Sequence, residues 1–152
     1  MTPEAKLAAM GLILPEVPKP VGSYLPYKKS GDTLYLAGQG PKRPDGSFAV
    51  GRVGREVTVD EANAHAKLVG LGLLAAAKTA AGELSRVEVI KVLGMVNAVP
   101  GFTEHPRVID GCSDLFIAVL GERGRHARSA VGMGSLPLDI TVEIEAVMRI
   151  HD

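Results

Sequence analysis

Residues 140–150 read Ile-Thr-Val-Glu-Ile-Glu-Ala-Val-Met-Arg-Ile, and their alternation decides the fold class. In an extended chain Ile140, Val142, Ile144, Ala146, Met148 and Ile150 point one way. Thr141, Glu143, Glu145, Val147 and Arg149 point the other way. Such a strand lays one face on a core and turns a polar face to water or to another subunit. Residues 87–99 are rich in β-branched side chains and predict a second long strand. Residues 129–133 predict a short one, separated from 140–150 by the turn Leu136-Pro137-Leu138-Asp139. Residues 23–29 and 33–37 predict a strand pair around Ser30-Gly31-Asp32.

Two long helices separate these strands. Residues 59–81 carry Ala62, Ala66, Val69, Leu73, Ala76, Ala77 and Ala80 at three- and four-residue spacing. Thr58 and Glu61 have capping-box spacing ahead of that run, and Gly82 supplies the stop. Residues 106–120 carry a second stripe of Val108, Cys112, Leu115, Phe116 and Val119, closed by Gly121 and Gly124. A short helix over residues 3–10, capped by Thr2, and a Pro-rich connector over 14–21 precede the first strand. Residues 39–54, with Pro41, Pro44 and Asp45-Gly46, read as loop. Both long helices can cover the same apolar face, which makes an α+β sandwich and not a doubly wound sheet.

The 152 residues suit one domain, 1–152, with 1–20 as its N-terminal helix and connector. Formal net charge is zero, which disfavours a nucleic-acid partner. No run approaches the roughly 18 apolar residues that would cross a bilayer. No secretory signal is visible, and the single cysteine excludes an internal disulfide, so a cytoplasmic protein is expected. Gly38-Gln39-Gly40-Pro41 lacks the third glycine and the following helix of a dinucleotide loop. His65, His105, His126 and His151 have no metal-ligand spacing. Any chemistry must then use arginine, carboxylates and backbone groups.

The segment His126-Ala127-Arg128-Ser129-Ala130-Val131, then Leu136-Pro137, then Val142-Glu143-Ile144-Glu145-Ala146 resembles the signature of the RidA/YjgF family. Upstream, Tyr24 and Ala37-Gly38-Gln39 fit the same pattern in order, so the resemblance spans about residues 20 to 150. It implies a chorismate-mutase-like fold, a mostly antiparallel mixed sheet with two main helices on one face. It also implies a homotrimer with clefts between subunits. The implied activity is hydrolysis of reactive enamines and imines, such as 2-aminoacrylate and 2-imino acids, to 2-oxo acids and ammonia. No metal or organic cofactor is needed.

Carried over residue by residue, the resemblance makes Arg128 the carboxylate clamp and Glu143 the group that orients water and moves a proton. Gly38 and Ala130 would offer backbone groups to the substrate, and Tyr24 would close the cleft from a neighbouring subunit. The arginine suits its role because a guanidinium presents a rigid fork to a carboxylate. By residue type alone, Arg128 suits a structural ion pair better than a ligand clamp, Tyr24 suits a strand-edge packing role, and Glu143 with Glu145 suit a solvated strand face. Two other functions remain open: a non-catalytic trimer that binds a small carboxylate and regulates a partner, and RNA cleavage. The chain departs from the family pattern at Ala130, where many relatives have cysteine, and at Ile109 or Asp110, where many have asparagine.

Overall fold

The structure is a computed structural model that describes residues 1–19 and 22–152; the end of the expected connector, Pro20 and Val21, lies outside the described residues. Helix α1 (Pro3–Ala9) starts where Thr2 accepts a hydrogen bond from the Ala5 amide at 3.1 Å. It is docked by buried Leu7 and by the Glu4 carboxylate, which accepts from the Leu84 amide at 2.8 Å. Strands β1 (Tyr27–Ser30) and β2 (Thr33–Gln39) form the expected hairpin, with Tyr27 opposite Leu36. The strand starts four residues later than residue 23 because Pro26 has no N–H to give to a ladder. Its carbonyl still accepts from the Ala37 amide.

Helix α2 (Val59–Ala81) carries the capping box in full: Glu61 N–H donates to Thr58 Oγ1 and Thr58 N–H to Glu61 Oε1, both at 3.1 Å. Of its expected apolar face, Ala62 to Ala77 are buried and Ala80 is half-buried. Strand β3 (Val87–Asn97) leads into α3 (His105–Leu120), then β4 (Ala127–Met133) and β5 (Val142–Ile150). The sheet order is β1-β2-β5-β3-β4. All neighbours are antiparallel except β3 and β4, which the α3 crossover joins in parallel.

Both long helices lie on one face of the sheet. Beneath them Leu34, Leu36, Val89, Val92, Val96, Val142, Ile144 and Met148 are buried together with Leu73, Leu74, Ile109 and Phe116. Each such side chain contributes roughly 1.5–3 kcal/mol on leaving water. Close approach of α3 to β3 depends on Gly94, where an added Cβ would stand 2.5 Å from Ile109 Cγ1. Any larger residue there must displace the Ile109 side chain.

The opposite face differs from its expected polar character. Besides Glu143 and Glu145 it carries Tyr35, Leu93, Val131 and Val147, of which Tyr35 and Val131 are exposed. Met95, Leu136 and Ile140 form a second, small apolar cluster on this side, with Leu93 and Met133 packed against it. Away from that cluster, Tyr35 and Val131 stay exposed in the single chain.

Candidate functional site

Arg128 lies in β4, one residue after its start, and not just before a strand as expected. It faces the helix layer, half-buried. The spacing of α3 puts Asp110, Ser113, Asp114 and Ile117 on one helix face, and that face meets the β4 edge. Arg128 Nη1 donates to Asp110 Oδ1 at 2.8 Å and to Ser113 Oγ at 3.1 Å. Those two bonds use both hydrogens of Nη1. Among the described residues no side chain or carbonyl accepts from Nε or Nη2, so three N–H groups remain, two of them parallel along the Nε–Nη2 edge of the fork.

His126 completes the arrangement. Its Nδ1 stands 2.6 Å from the Gly124 carbonyl oxygen, which can only accept, so Nδ1 carries the proton. Nε2 stands 2.9 Å from Ser113 Oγ, and in the neutral ring it accepts from that hydroxyl, whose lone pairs then turn toward Arg128. The ring is held edge-on to Phe116 at a centroid distance of 6.0 Å. Each group is thus oriented by the next. Asp110, Ser113, Asp114, Ile117, Arg125, His126 and Arg128 line an open depression of about 260 Å³. The sequence reading gave no role to Ser113 or Asp114. The signal that could have found them is the helical spacing from Asp110, once the parallel pairing of β4 was known.

A second group forms elsewhere. β2 is irregular between Leu36 and Gln39, so Gly38 comes to lie over Glu143 of β5. A Cβ on Gly38 would sit 2.6 Å from Glu143 Oε2. The glycine is therefore needed for close approach, and its φ is not in the left-handed region. Burial, followed by repulsion from Glu145, raises the Glu143 carboxyl above its ordinary value. Tyr24, well exposed in the loop before β1, lines a small cavity of about 40 Å³ with Ala37, Gly38 and Gln39. It also lines an open groove of about 600 Å³ with Leu25, Lys28 and Tyr35.

One chain does not bring the two groups together. Arg128 pairs with Val92 and Glu143 with Met95, two strands away from each other and on opposite faces of the sheet. Ala130 shares the helix face with Arg128, half-buried against the main core. Tyr24, Gly38 and Glu143 make the other half. Cys112 is fully buried on α3, and burial raises its thiol despite the nearby Arg128 charge. Among the described residues no group of three His, Cys, Asp or Glu side chains could hold a metal ion. Among the described residues no helix is long and apolar enough to cross a membrane.

Comparison with known proteins places this geometry in context. The family model described as "YjgF/chorismate_mutase-like, putative endoribonuclease" matches residues 4–146. Protein TCP17 of Trypanosoma cruzi is 39% identical over 150 residues, which cover 97% of this chain and 94% of that protein. The crystal structure of Atu1372 from Agrobacterium tumefaciens, described there as of unknown function, is 45% identical with a TM-score of 0.90. That match covers 98% of this chain and 94% of the other. RidA from the Antarctic bacterium Psychrobacter sp. is 27% identical over 89% of this chain and 94% of its own, with a TM-score of 0.62.

Proposed function

Since the chain belongs to the YjgF/chorismate mutase-like family, RidA among its relatives, we propose that it hydrolyses reactive 2-imino acids and their enamine tautomers to 2-oxo acids and ammonia. The observation that carries this reading is Arg128, held by Asp110 and Ser113 with three N–H groups left over at the edge of an open depression. A fork fixed in advance binds a planar carboxylate with little further ordering cost.

The chemistry asks little of the protein. A protonated imine carbon is electrophilic; water adds to it, a proton moves to nitrogen, and ammonium leaves as the carbonyl forms. Glu143 is suited to the proton transfers because its carboxyl holds a proton more readily than an ordinary glutamate. General acid–base help of this kind is worth typically ~10²–10⁴-fold. Glu143 and Arg128 can serve one substrate only if two copies of the chain meet, the Tyr24–Gly38–Glu143 group of one facing the Arg128–Ala130 edge of the next. Closed rings of such head-to-tail contacts suit the homotrimer that the family signature implies. The uncovered apolar side chains Tyr35, Val131 and Val147 supply surface for the contact.

The test is ammonia release from enzymatically generated 2-iminopropionate. Acceleration that Arg128→Ala abolishes, with the assembly intact by light scattering, supports the reading. No acceleration across several imino acids overturns it. The wide separation of Arg128 and Glu143 favours a second reading, a non-catalytic trimer that senses a small carboxylate. That reading expects Arg128-dependent thermal stabilisation by 2-oxo acids without turnover. RNA cleavage by the purified chain, lost on mutation of the same residues, would replace both.

A further inference from the structure

The end of β2 departs from a regular ladder by one residue. Leu36 pairs with Ala146, and a regular antiparallel run would then set Gly38 opposite Ile144. Gln39 holds that place instead, so β2 carries one inserted residue. An insertion of one residue exchanges the two faces of the strand beyond it. In the regular register Gly38 would point into the helix layer, and Gln39 would point out beside Glu143. In the observed register Gln39 shares the helix face with Ile144, and Gly38 lies over Glu143.

A long polar side chain needs a place in that helix layer. Gln39 finds it at Gly72, in the interior of α2, where Gln39 Nε2 donates to the Gly72 carbonyl oxygen at 3.3 Å. A Cβ added to Gly72 would collide with Gln39 Oε1, and the three atoms nearest to it all belong to Gln39. The φ of Gly72 is not in the left-handed region, so no unusual backbone conformation calls for glycine there. Glycine weakens a helix interior relative to alanine. What it provides at this position is a notch, and Gln39 fills it.

We propose that Gln39, seated on Gly72, is a positioning residue for Glu143: it holds the inserted residue of β2 in place and so keeps bare Gly38, not a side-chain amide, over the carboxylate. The functional meaning of this rests on the reading of Glu143 as the proton carrier, and the geometry rests on the register alone.

The consequence is chemical. A primary amide beside Glu143 would donate to its ionised form and favour that form. The carboxyl would then hold its proton less readily and make a poorer acid. The observed register keeps that donor on the far side of the sheet. Opposite Glu143 on β3 stands Met95, which carries no charge, and the charged group that acts on it is Glu145 of its own strand. Neither stabilises the ionised form.

A pH titration of the full chain, with the Glu143 carboxyl followed by carbon-13 NMR, tests the proposal beside thermal melting and ammonia release from 2-iminopropionate. Gly72→Ala displaces only the flexible end of Gln39 and supplies a better helix former, so the melting temperature should hold or rise. The Glu143 carboxyl should nevertheless titrate lower than in the unaltered chain. Turnover should fall at least about tenfold, part of the ~10²–10⁴-fold that an acid–base group supplies. Gln39→Asn, one methylene too short for the notch, should act in the same direction and is the second variant if Gly72→Ala distorts α2. A contact with only a structural role would move the melt and leave the titration in place. An unchanged Glu143 titration in both variants overturns the proposal, whatever turnover does. Absence of turnover in the unaltered chain overturns the function proposed above instead, and the titration then decides this inference by itself.

Discussion

The two halves of the candidate site were built under different constraints. Around Arg128 every fixed group has a partner: Asp110 and Ser113 hold Nη1, His126 holds Ser113, and Gly124 holds His126. Around Glu143 the contacts are close approach and repulsion, Gly38 on one side and Glu145 on the other. The first half is finished by its own chain. The second is held in a partly dry, electrostatically unfavourable state that an incoming group can relieve. On the reading proposed above, the chain would complete its carboxylate anchor by itself and leave the proton carrier to be completed by a second copy.

The sharpest way to break this comparison is to mutate the two faces of β5 separately. Ile144→Ala, on the helix face and fully buried, should cost about 2–5 kcal/mol in urea unfolding. Val147→Ala, on the other face, should cost well under that in the isolated chain. An equal loss at Val147 that vanishes on dilution would show that another copy covers it. Next in size, Arg128→Ala should weaken carboxylate binding by about 100-fold, since it removes charge-assisted bonds worth roughly 1.5–3 kcal/mol. Thermal melting should move little, because Asp110 then turns to water. A melt that collapses instead would make Arg128 a structural ion pair.

Gly38→Ala should leave stability nearly unchanged. The end of the Glu143 side chain can swing away, and alanine suits a strand better than glycine by roughly 0.5–1 kcal/mol. Turnover should fall about tenfold as the carboxylate is displaced; unchanged turnover would remove Glu143 from the reaction. The smallest effect is the pH dependence of stability. A carboxyl raised by folding binds protons more tightly in the native state than in the unfolded one. Stability therefore falls as pH rises from the ordinary glutamate range through the raised native value. Glu143→Gln should flatten that decline and stabilise the chain slightly at neutral pH, by an amount that solvent screening keeps small. A steeper decline in the variant would reverse the assignment.

Much of the fold can be read along the chain because its signals are local. Thr58, Glu61 and Gly82 mark both ends of α2, and the alternation around Ile144 marks β5 and its buried face. The strand ends are less visible. β4 begins at Ala127 because it pairs in parallel with Lys91 across a whole helix, and no neighbour in sequence records that. The same non-local pairing hides the most consequential fact about the site. Fifteen positions separate Arg128 from Glu143, and nothing in that spacing says that they face opposite sides of the sheet. Ser113 and His126 were likewise illegible as a pair, since only the return of the chain after α3 brings them within 2.9 Å.

Cys112 has a use beyond packing. It is the chain's single thiol, fully buried on α3 against Gly70 of α2, and burial keeps it protonated. Alkylating reagents attack only the exposed thiolate. The rate at which such a reagent consumes Cys112 is therefore a clock for parting of the two helices. It lets the opening of the layer above the sheet be timed in the native protein without adding any label.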